Sequence, residues 1–199
     1  MKIQHKNSTG RGKIVAALVI SGVVLIGVAS RFIFLNTEYP SPQIKTYSLG
    51  ETICLGNYNF TLKEWKWQDG EIVHELLPGY HLINTFNGKE YPVEKERVGL
   101  ATVIIEKTHE DDTYLDLTDI TFESGAWGNQ WDQDIMFGIN KGLDSLLLDM
   151  KEGECREIIF PITMADFHFA ESDWREIDRR DFYIVLEYYP VKYQLLCEN

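Results

Sequence analysis

The side chains able to do chemistry in this 199-residue chain are numerous but poorly spaced for it. His5, His74, His81, His109 and His168 fall in five different stretches, so none forms a paired metal or triad motif with another. Asp132 and Asp134 flank Gln133 in an Asp-x-Asp that begins like a calcium loop, yet the third acid and the closing Glu are missing at the offsets such a loop needs. The 31 Asp and Glu residues leave room for two carboxylates to converge in space, because the acid and base of a hydrolase need no fixed spacing in sequence. No Gly-x-Ser-x-Gly, P-loop, Gly-x-Gly-x-x-Gly, His-Glu-x-x-His or Cys-x-x-Cys accompanies them. The reading is a protein that is not an enzyme, with no catalytic, cofactor-binding or metal-binding residue. The alternative is an envelope hydrolase acting on glycan or peptide through paired carboxylates. What remains is recognition: Trp127 and Trp131 stand among glycine and acids, where an indole can anchor a protein partner or cap the open end of a sandwich.

Cys54, Cys155 and Cys197 allow one intrachain disulfide at most and leave one thiol over. Each lies in an apolar strand context, where a buried free thiol is ordinary, so no obligatory disulfide is expected.

Where these groups work is set by residues 14–30, 17 positions without a charge, preceded by Lys2, Lys6, Arg11 and Lys13 and by no acid. Extended through residue 35, the apolar run reaches about 33 Å as a helix, against a hydrocarbon core of about 30 Å. Residues 14–35 therefore read as a single span through the cytoplasmic membrane, with the basic tail 1–13 in the cytoplasm and the remainder outside. A signal peptide cleaved after the small residues near Ala29 is the alternative, and the protein is then secreted. The first cysteine is Cys54, so no lipobox lies near the membrane.

Up to Pro40 the chain holds five Lys/Arg and one Glu, a net of +4; the following residues hold 14 basic and 30 acidic groups, a net of −16. Such a surface repels nucleic acid, which excludes a nucleic-acid partner and leaves the membrane and an envelope protein as the partners to consider.

Residues 36–46, with two prolines, read as a short stalk. Residues 47–199 then suffice for one domain. Residues 51–55 and 58–67 form a hairpin across Gly56 and Asn57, and a bulge near Lys63 or Glu64 would bring Phe60, Leu62, Trp65 and Trp67 into use together. Residues 71–96 carry Pro78, Gly79, Gly88 and Pro92 and read as a long connection or a small insertion. Residues 97–107 are apolar at both parities, as a central strand is, and 114–123 should pair with them, the one-residue slip from Thr118 to Asp119 suggesting a bulge. A loop over 125–138 is expected to lead into another short strand. Leu143, Leu146, Leu147 and Met150 match a helical stripe that Gly153 would end. Residues 155–163 make a strand in which Pro161 marks an edge, a bulge or the end; 166–181 form a polar crossing loop, and 181–197 make two strand halves divided at Pro190. About seven strands with room for one short helix describe an all-β, immunoglobulin-like sandwich.

The order of these elements resembles the telokin-like, immunoglobulin-like domains of unknown function found in exported, membrane-anchored proteins of Gram-positive bacteria. The resemblance is carried by SLGETICLGNYNFTL at residues 48–62, the strand at 100–107, the Glu-Gly-Glu turn at 152–154 followed by IIFPI, and YIVLEYYPVKYQL near the end. It implies a sandwich in the cell envelope with no assigned catalysis.

Overall fold

The computed structural model describes residues 9–76, 83–84, 89–90, 92 and 95–198. The chain divides into two compact units, Met1–Pro42 and Gln43–Asn199.

The first unit is a helix, α1 (Thr9–Glu38). Its stretch Gly12–Glu38 is long and apolar enough to cross a membrane. Ile14, Val15, Leu18, Val19, Leu25, Ile26, Phe32 and Ile33 are all exposed, so apolar side chains surround the axis instead of lining one stripe. A soluble amphipathic helix would keep a polar face; this one has none along that stretch, which suits lipid on all sides. The helix outruns the expected span by five residues at its start and three at its end, and Thr37 donates its hydroxyl to the Ile33 carbonyl at 2.8 Å in its last turn.

The second unit is a β-sandwich. Its principal strands are β1 (Gln43–Tyr47), β2 (Thr52–Leu55), β3 (Tyr58–Asp69), β4 (Glu96–Lys107), β5 (Thr121–Ser124), β6 (Trp127–Gln130), β7 (Cys155–Ala165), β8 (Phe182–Glu187) and β9 (Val191–Cys197). A five-stranded sheet runs β1-β9-β8-β5-β6 and a four-stranded sheet runs β7-β4-β3-β2. β1 lies parallel to β9, from Gln43 opposite Val191 to Tyr47 opposite Leu195, while the other pairs of these sheets are antiparallel. The segment read as a stalk thus holds the end of α1 and all of β1 except Tyr47, leaving residues 39–42 between them. Ile53, Phe60, Leu62, Val103, Ile105, Phe160 and Ile162 of one sheet and Phe122, Phe182, Ile184 and Leu195 of the other share one buried cluster.

Local chemistry explains the strand boundaries. Gly56, at φ 55°, closes the two-residue β2–β3 turn as the sequence suggests. The β3–β4 register shifts between Leu62 and Glu64, so the extra residue Lys63 faces out and Trp65 returns to the interior. β4 is central, between β3 and β7. Pro161 sits on the edge strand β7, where its missing N–H removes no ladder bond.

One expected pairing and one expected helix are corrected. Residues 114–123 do not pair with β4: a 3₁₀ turn at Leu117–Asp119, capped by Asp116 accepting from the Thr118 N–H at 2.9 Å, breaks the strand. The following β5 then crosses to the other sheet, between β8 and β6. The helix expected after residue 140 lies earlier, as α3 (Gln133–Ile139). Asp132 starts it by accepting the Ile135 N–H at 3.1 Å, while the Asp132 N–H is held by the Pro161 carbonyl at 2.8 Å. Residues 143–150 are not helical; Leu148 is buried while Leu147 is exposed, and both pair with Leu115 and Asp116. Within 71–96, the described elements before β4 are α2 (Glu71–Leu76) and the paired two-residue strands Ile83–Asn84 and Lys89–Glu90. His81, most of the expected connection around it, and His5 with the start of the basic tail lie outside the described residues.

Candidate functional site

The chain enters the sandwich at Gln43, beside Val191 and the β8–β9 turn. The opposite end carries the densest chemistry of the domain. The bulge at Lys63 delivers Trp65 and Trp67, whose rings meet edge to face at 5.1 Å. Phe182, at the start of β8, stacks on Trp65 at 6.0 Å and meets Trp67 at 5.2 Å. Trp127 opens β6 just after Gly125, which turns at φ 61°, and packs on Phe182 at 5.8 Å and Phe169 at 5.5 Å. The crossing segment between β7 and β8 adds Phe169 stacked on Trp174 at 6.1 Å and an exposed Phe167 (55 % of its surface) beside His168.

Two arginines lie over this aromatic surface. The Arg180 guanidinium is 5.4 Å from the Phe169 ring centre and that of Arg97 is 5.9 Å from Trp174, distances at which a cation is attracted to a ring face. Both are anchored: Arg180 donates to the Ser124 hydroxyl and carbonyl at 2.6 and 2.9 Å and pairs with Asp173 at 3.1 Å, and Arg97 is flanked by Asp69 and Asp178 at 3.6 and 3.8 Å. A Cβ on Gly125 would stand 2.8 Å from Arg180 Nη2, so the small residue admits the guanidinium. The indole N–H groups of Trp65 and Trp67 are buried and meet no acceptor among the described residues.

This arrangement can hold a partner but offers little for catalysis. The Ser124 hydroxyl donates to the Asp181 carbonyl at 2.6 Å while accepting from Arg180, so no base is in place to activate it. His168 accepts the Ala165 N–H on Nδ1 at 3.2 Å, and burial holds its pKa below the usual imidazole value, which keeps the ring neutral. Burial pushes the Cys197 thiol far above its ordinary range, and Cys54 and Cys155 are exposed free thiols. Among the described residues no group of three or more His, Cys, Asp or Glu could hold a metal ion.

Carboxylates converge elsewhere, in a cleft of about 180 Å³ at the entry end, where Asp116, Asp119 and Glu187 meet Leu55, Tyr58 and Leu186. The hydrogen bonds from Thr118 hold the Asp116 carboxyl below its usual range, the opposite of what a general acid needs. The same end buries Lys107, 1 % exposed, whose ammonium donates to the carbonyls of Asp111 and Thr113 at 3.0 and 3.1 Å and pairs with the Asp111 carboxylate at 2.8 Å. That pairing, with bonds from Thr113 and Asn57, pulls the Asp111 carboxyl down to about 2 and ties the loop after β4 to the sheet.

The two tryptophans singled out from sequence do different things. Trp131 is 7 % exposed, donates its indole N–H to the Leu117 carbonyl at 3.1 Å and meets Phe160 edge to face at 6.2 Å, within the core. Trp127 is half-buried in the distal aromatic surface. Sequence reading missed Phe167, Phe169, Trp174, Arg97 and Arg180. The signal was present: three aromatics within eight residues of an otherwise charged loop.

Residues 44–193 match the family model described as Domain of unknown function (DUF5028). No curated protein matches the chain. Among solved structures it is similar to an uncharacterised β-sandwich protein from Clostridium difficile 630, at 14 % identity and a TM-score of 0.42 over 79 % of this chain and 96 % of that one. It is also similar to a conserved hypothetical protein from Bacillus anthracis, at 12 % identity and a TM-score of 0.47 over 74 % of this chain and 94 % of that one.

Proposed function

Because this chain belongs to DUF5028, a family of domains of unknown function, we propose its role from its own geometry: it is a membrane-anchored module that binds an envelope protein through the distal aromatic and arginine surface. The observation that carries this reading is placement. Trp127, Phe167, Phe169 and Trp174 gather at the end of the sandwich opposite the one where the chain enters β1. Aromatic and arginine side chains are the residues most often found at the centres of protein interfaces. Their guanidiniums are already paired with carboxylates, so a partner meets a preorganised surface and not two loose cations.

The extracytoplasmic position of the domain is supported by α1, by the basic residues on its N-terminal side and by the acidity of everything after it. An immunoglobulin-like sandwich is supported by connectivity, since the chain passes from β4 to β5, from β6 to β7 and from β7 to β8 by changing sheets. The Gram-positive setting is supported by the resemblance in strand and turn motifs.

A photo-crosslinking side chain placed at Phe167 in intact cells tests the binding role. The expected result is one discrete protein adduct, reduced at least fivefold by Trp127→Phe, which keeps a ring in place against Phe182. An equal yield of the same adduct from position 153, at the entry end, refutes it.

A further inference from the structure

We propose that the outer edge of β7, from Cys155 to Glu157, takes up a short extended segment of another protein as an added strand, neutral or basic in charge and apolar at alternate positions. This edge shares no residue with the distal aromatic surface. Its first support is main-chain chemistry. β7 pairs with β4 alone in its sheet, so every second residue turns its N–H and C=O away from the sheet. The Glu154 carbonyl accepts the Lys107 N–H of β4 at 3.0 Å, which puts Cys155, Glu157, Ile159 and Pro161 in the outward set. Asp132 occupies the Pro161 carbonyl, and the Asn140 side chain occupies both groups of Ile159, accepting the N–H and donating to the C=O at 2.8 Å each, as a residue of an added strand does. The main-chain groups of Glu157 and Cys155 continue that row and meet no partner among the described residues. An extended chain that begins where Asn140 stops supplies the donors and acceptors they lack.

The second support is space. A cleft of about 570 Å³ runs along this edge between residues 139–144, which follow from the end of α3, and residues 156–159. That volume lies within the range of ligand sites. Ile139 and Leu143 are half-buried on its wall, where an apolar side chain of the added strand can rest. Two of its charges are committed: Arg156 donates to the Glu154 carboxylate at 2.7 Å and the Asp149 carbonyl at 3.0 Å, and Glu157 pairs with Lys63. Lys141 and Asp144 add one exposed charge of each sign, so main-chain pairing and apolar contact decide what binds. Charge selects the occupant. The residues after Pro40 carry a net of −16, so a second copy or an acidic segment is repelled while a neutral or basic segment of a different protein is not. The edge is also short, bounded by Asn140 on one side and the Gly153 turn on the other, which limits pairing to a few residues.

A phage library of random dodecapeptides, selected on the full chain in mild detergent, supplies the probes, and the enriched peptides are synthesised and measured by fluorescence polarisation. Peptides that bind the native chain at least tenfold more tightly than Glu157→Pro are expected, with Lys and Arg outnumbering Asp and Glu among them. Proline at 157 deletes one outward N–H on an edge that already carries Pro161 at an outward position. Glu157→Gln keeps that N–H while breaking the Lys63 pair, and should bind as the native chain does. N-methylation of one alternate set of peptide amides should weaken binding at least tenfold, and methylation of the other set should not. Peptides that all bind Glu157→Pro and the native chain equally, a predominance of acidic peptides, no enrichment above a selection on empty micelles, or an equal loss with Glu157→Gln overturn the proposal. So does a native dimer in sedimentation equilibrium that Glu157→Pro dissolves, which gives the edge to a second copy. Thermal unfolding checks each variant; if Glu157→Pro melts more than about 5 °C below the native chain, Cys155→Pro, at the next outward position, replaces it with the same expected outcomes.

Discussion

Asn140 is the residue whose loss should most directly expose how this sandwich closes its edge. It is buried at the end of α3, and its side chain acts as a one-residue strand beside β7: Oδ1 accepts the Ile159 N–H at 2.8 Å and Nδ2 donates to the Ile159 carbonyl at 2.8 Å. Nδ2 also reaches the Met136 carbonyl at 2.9 Å. Asn140→Ala removes all three bonds. The Met136 carbonyl keeps the Asn140 N–H at 3.1 Å, so only the two groups of Ile159 are left without a partner. At a net of about 1 kcal/mol per bond, plus the cost of leaving the Ile159 groups without a partner, the loss is about 2–4 kcal/mol. For a chain of this size that lowers Tm by roughly 4–15 °C. Thermal unfolding of the full chain in mild detergent, followed by near-ultraviolet circular dichroism, measures it. Asn140→Asp sharpens the test, because one carboxylate oxygen must then face the Ile159 and Met136 carbonyls. Its pKa in the fold is raised, so the variant is least destabilised below the unfolded carboxyl value near 4 and loses stability as pH rises above it. A fall of less than 2 °C for Asn140→Ala, or a deficit for Asn140→Asp that does not grow with pH, refutes the edge-closing role.

Other perturbations reach the remaining parts of the domain. Gly99 lies under the Trp65 ring, and a Cβ there would overlap Cη2 and two neighbouring ring atoms; Gly99→Ala should cost about 1–3 kcal/mol by urea titration and flatten the near-ultraviolet tryptophan bands. Asp111, at about 2, together with Asp116 and Glu154, is held below the ordinary carboxyl range by hydrogen bonds. The stability they contribute is therefore present above about pH 4 and lost as pH falls from there toward 2. Asp111→Asn should shallow that acid limb of a Tm-against-pH curve, and an unchanged limb would count against the Lys107 pairing. With an aromatic disulfide reagent, Cys54 and Cys155 should react in the native protein and Cys197 only after unfolding; rapid modification of all three would contradict the burial of Cys197.

The legible parts of the chain were those where one local cause decides the outcome. A turn needing a left-handed residue found Gly56, a parity conflict in β3 found a bulge at Lys63, and a proline in β7 found an edge. The illegible parts were decided by distant partners. Leu143, Leu146, Leu147 and Met150 keep helical spacing, but the helix starts ten residues earlier because the Asp132 N–H is fixed by the Pro161 carbonyl and its carboxylate caps Ile135. The slip at Thr118 looked like a bulge, and an Asp116 cap made it a 3₁₀ turn that sends β5 into the opposite sheet. At the candidate site, Trp127 and Trp131 look equivalent in sequence. The Leu117 carbonyl, which takes the Trp131 indole N–H, commits that ring to the core. Phe167, Phe169 and Trp174 sit in a segment without periodicity, and only the strands on either side bring Phe169 onto Trp127, with Trp174 stacked behind it.

Under the anchored topology proposed above, anchoring and edge closure belong to one physical problem. An open strand edge offers unpaired N–H and C=O groups to any neighbour, and a domain tethered to a membrane meets its copies confined to a surface, at raised effective concentration. β7 faces this hazard at one side of its sheet and is blunted at successive outward positions. The Asp132 N–H takes the Pro161 carbonyl, Pro161 itself has no N–H to offer, and the Asn140 side chain takes both main-chain groups of Ile159. The next outward residue, Glu157, turns its side chain across the sheet face to pair with Lys63 of β3 at 2.6 Å, an exposed bridge that adds little to stability. Asn140→Ala therefore has a second consequence beyond its effect on Tm. It frees both groups of Ile159, so the reconstituted full chain should self-associate more than the native protein at equal surface density, as crosslinking yield against lipid-to-protein ratio would show. Native-like crosslinking across that titration would mean that Asn140 serves stability alone.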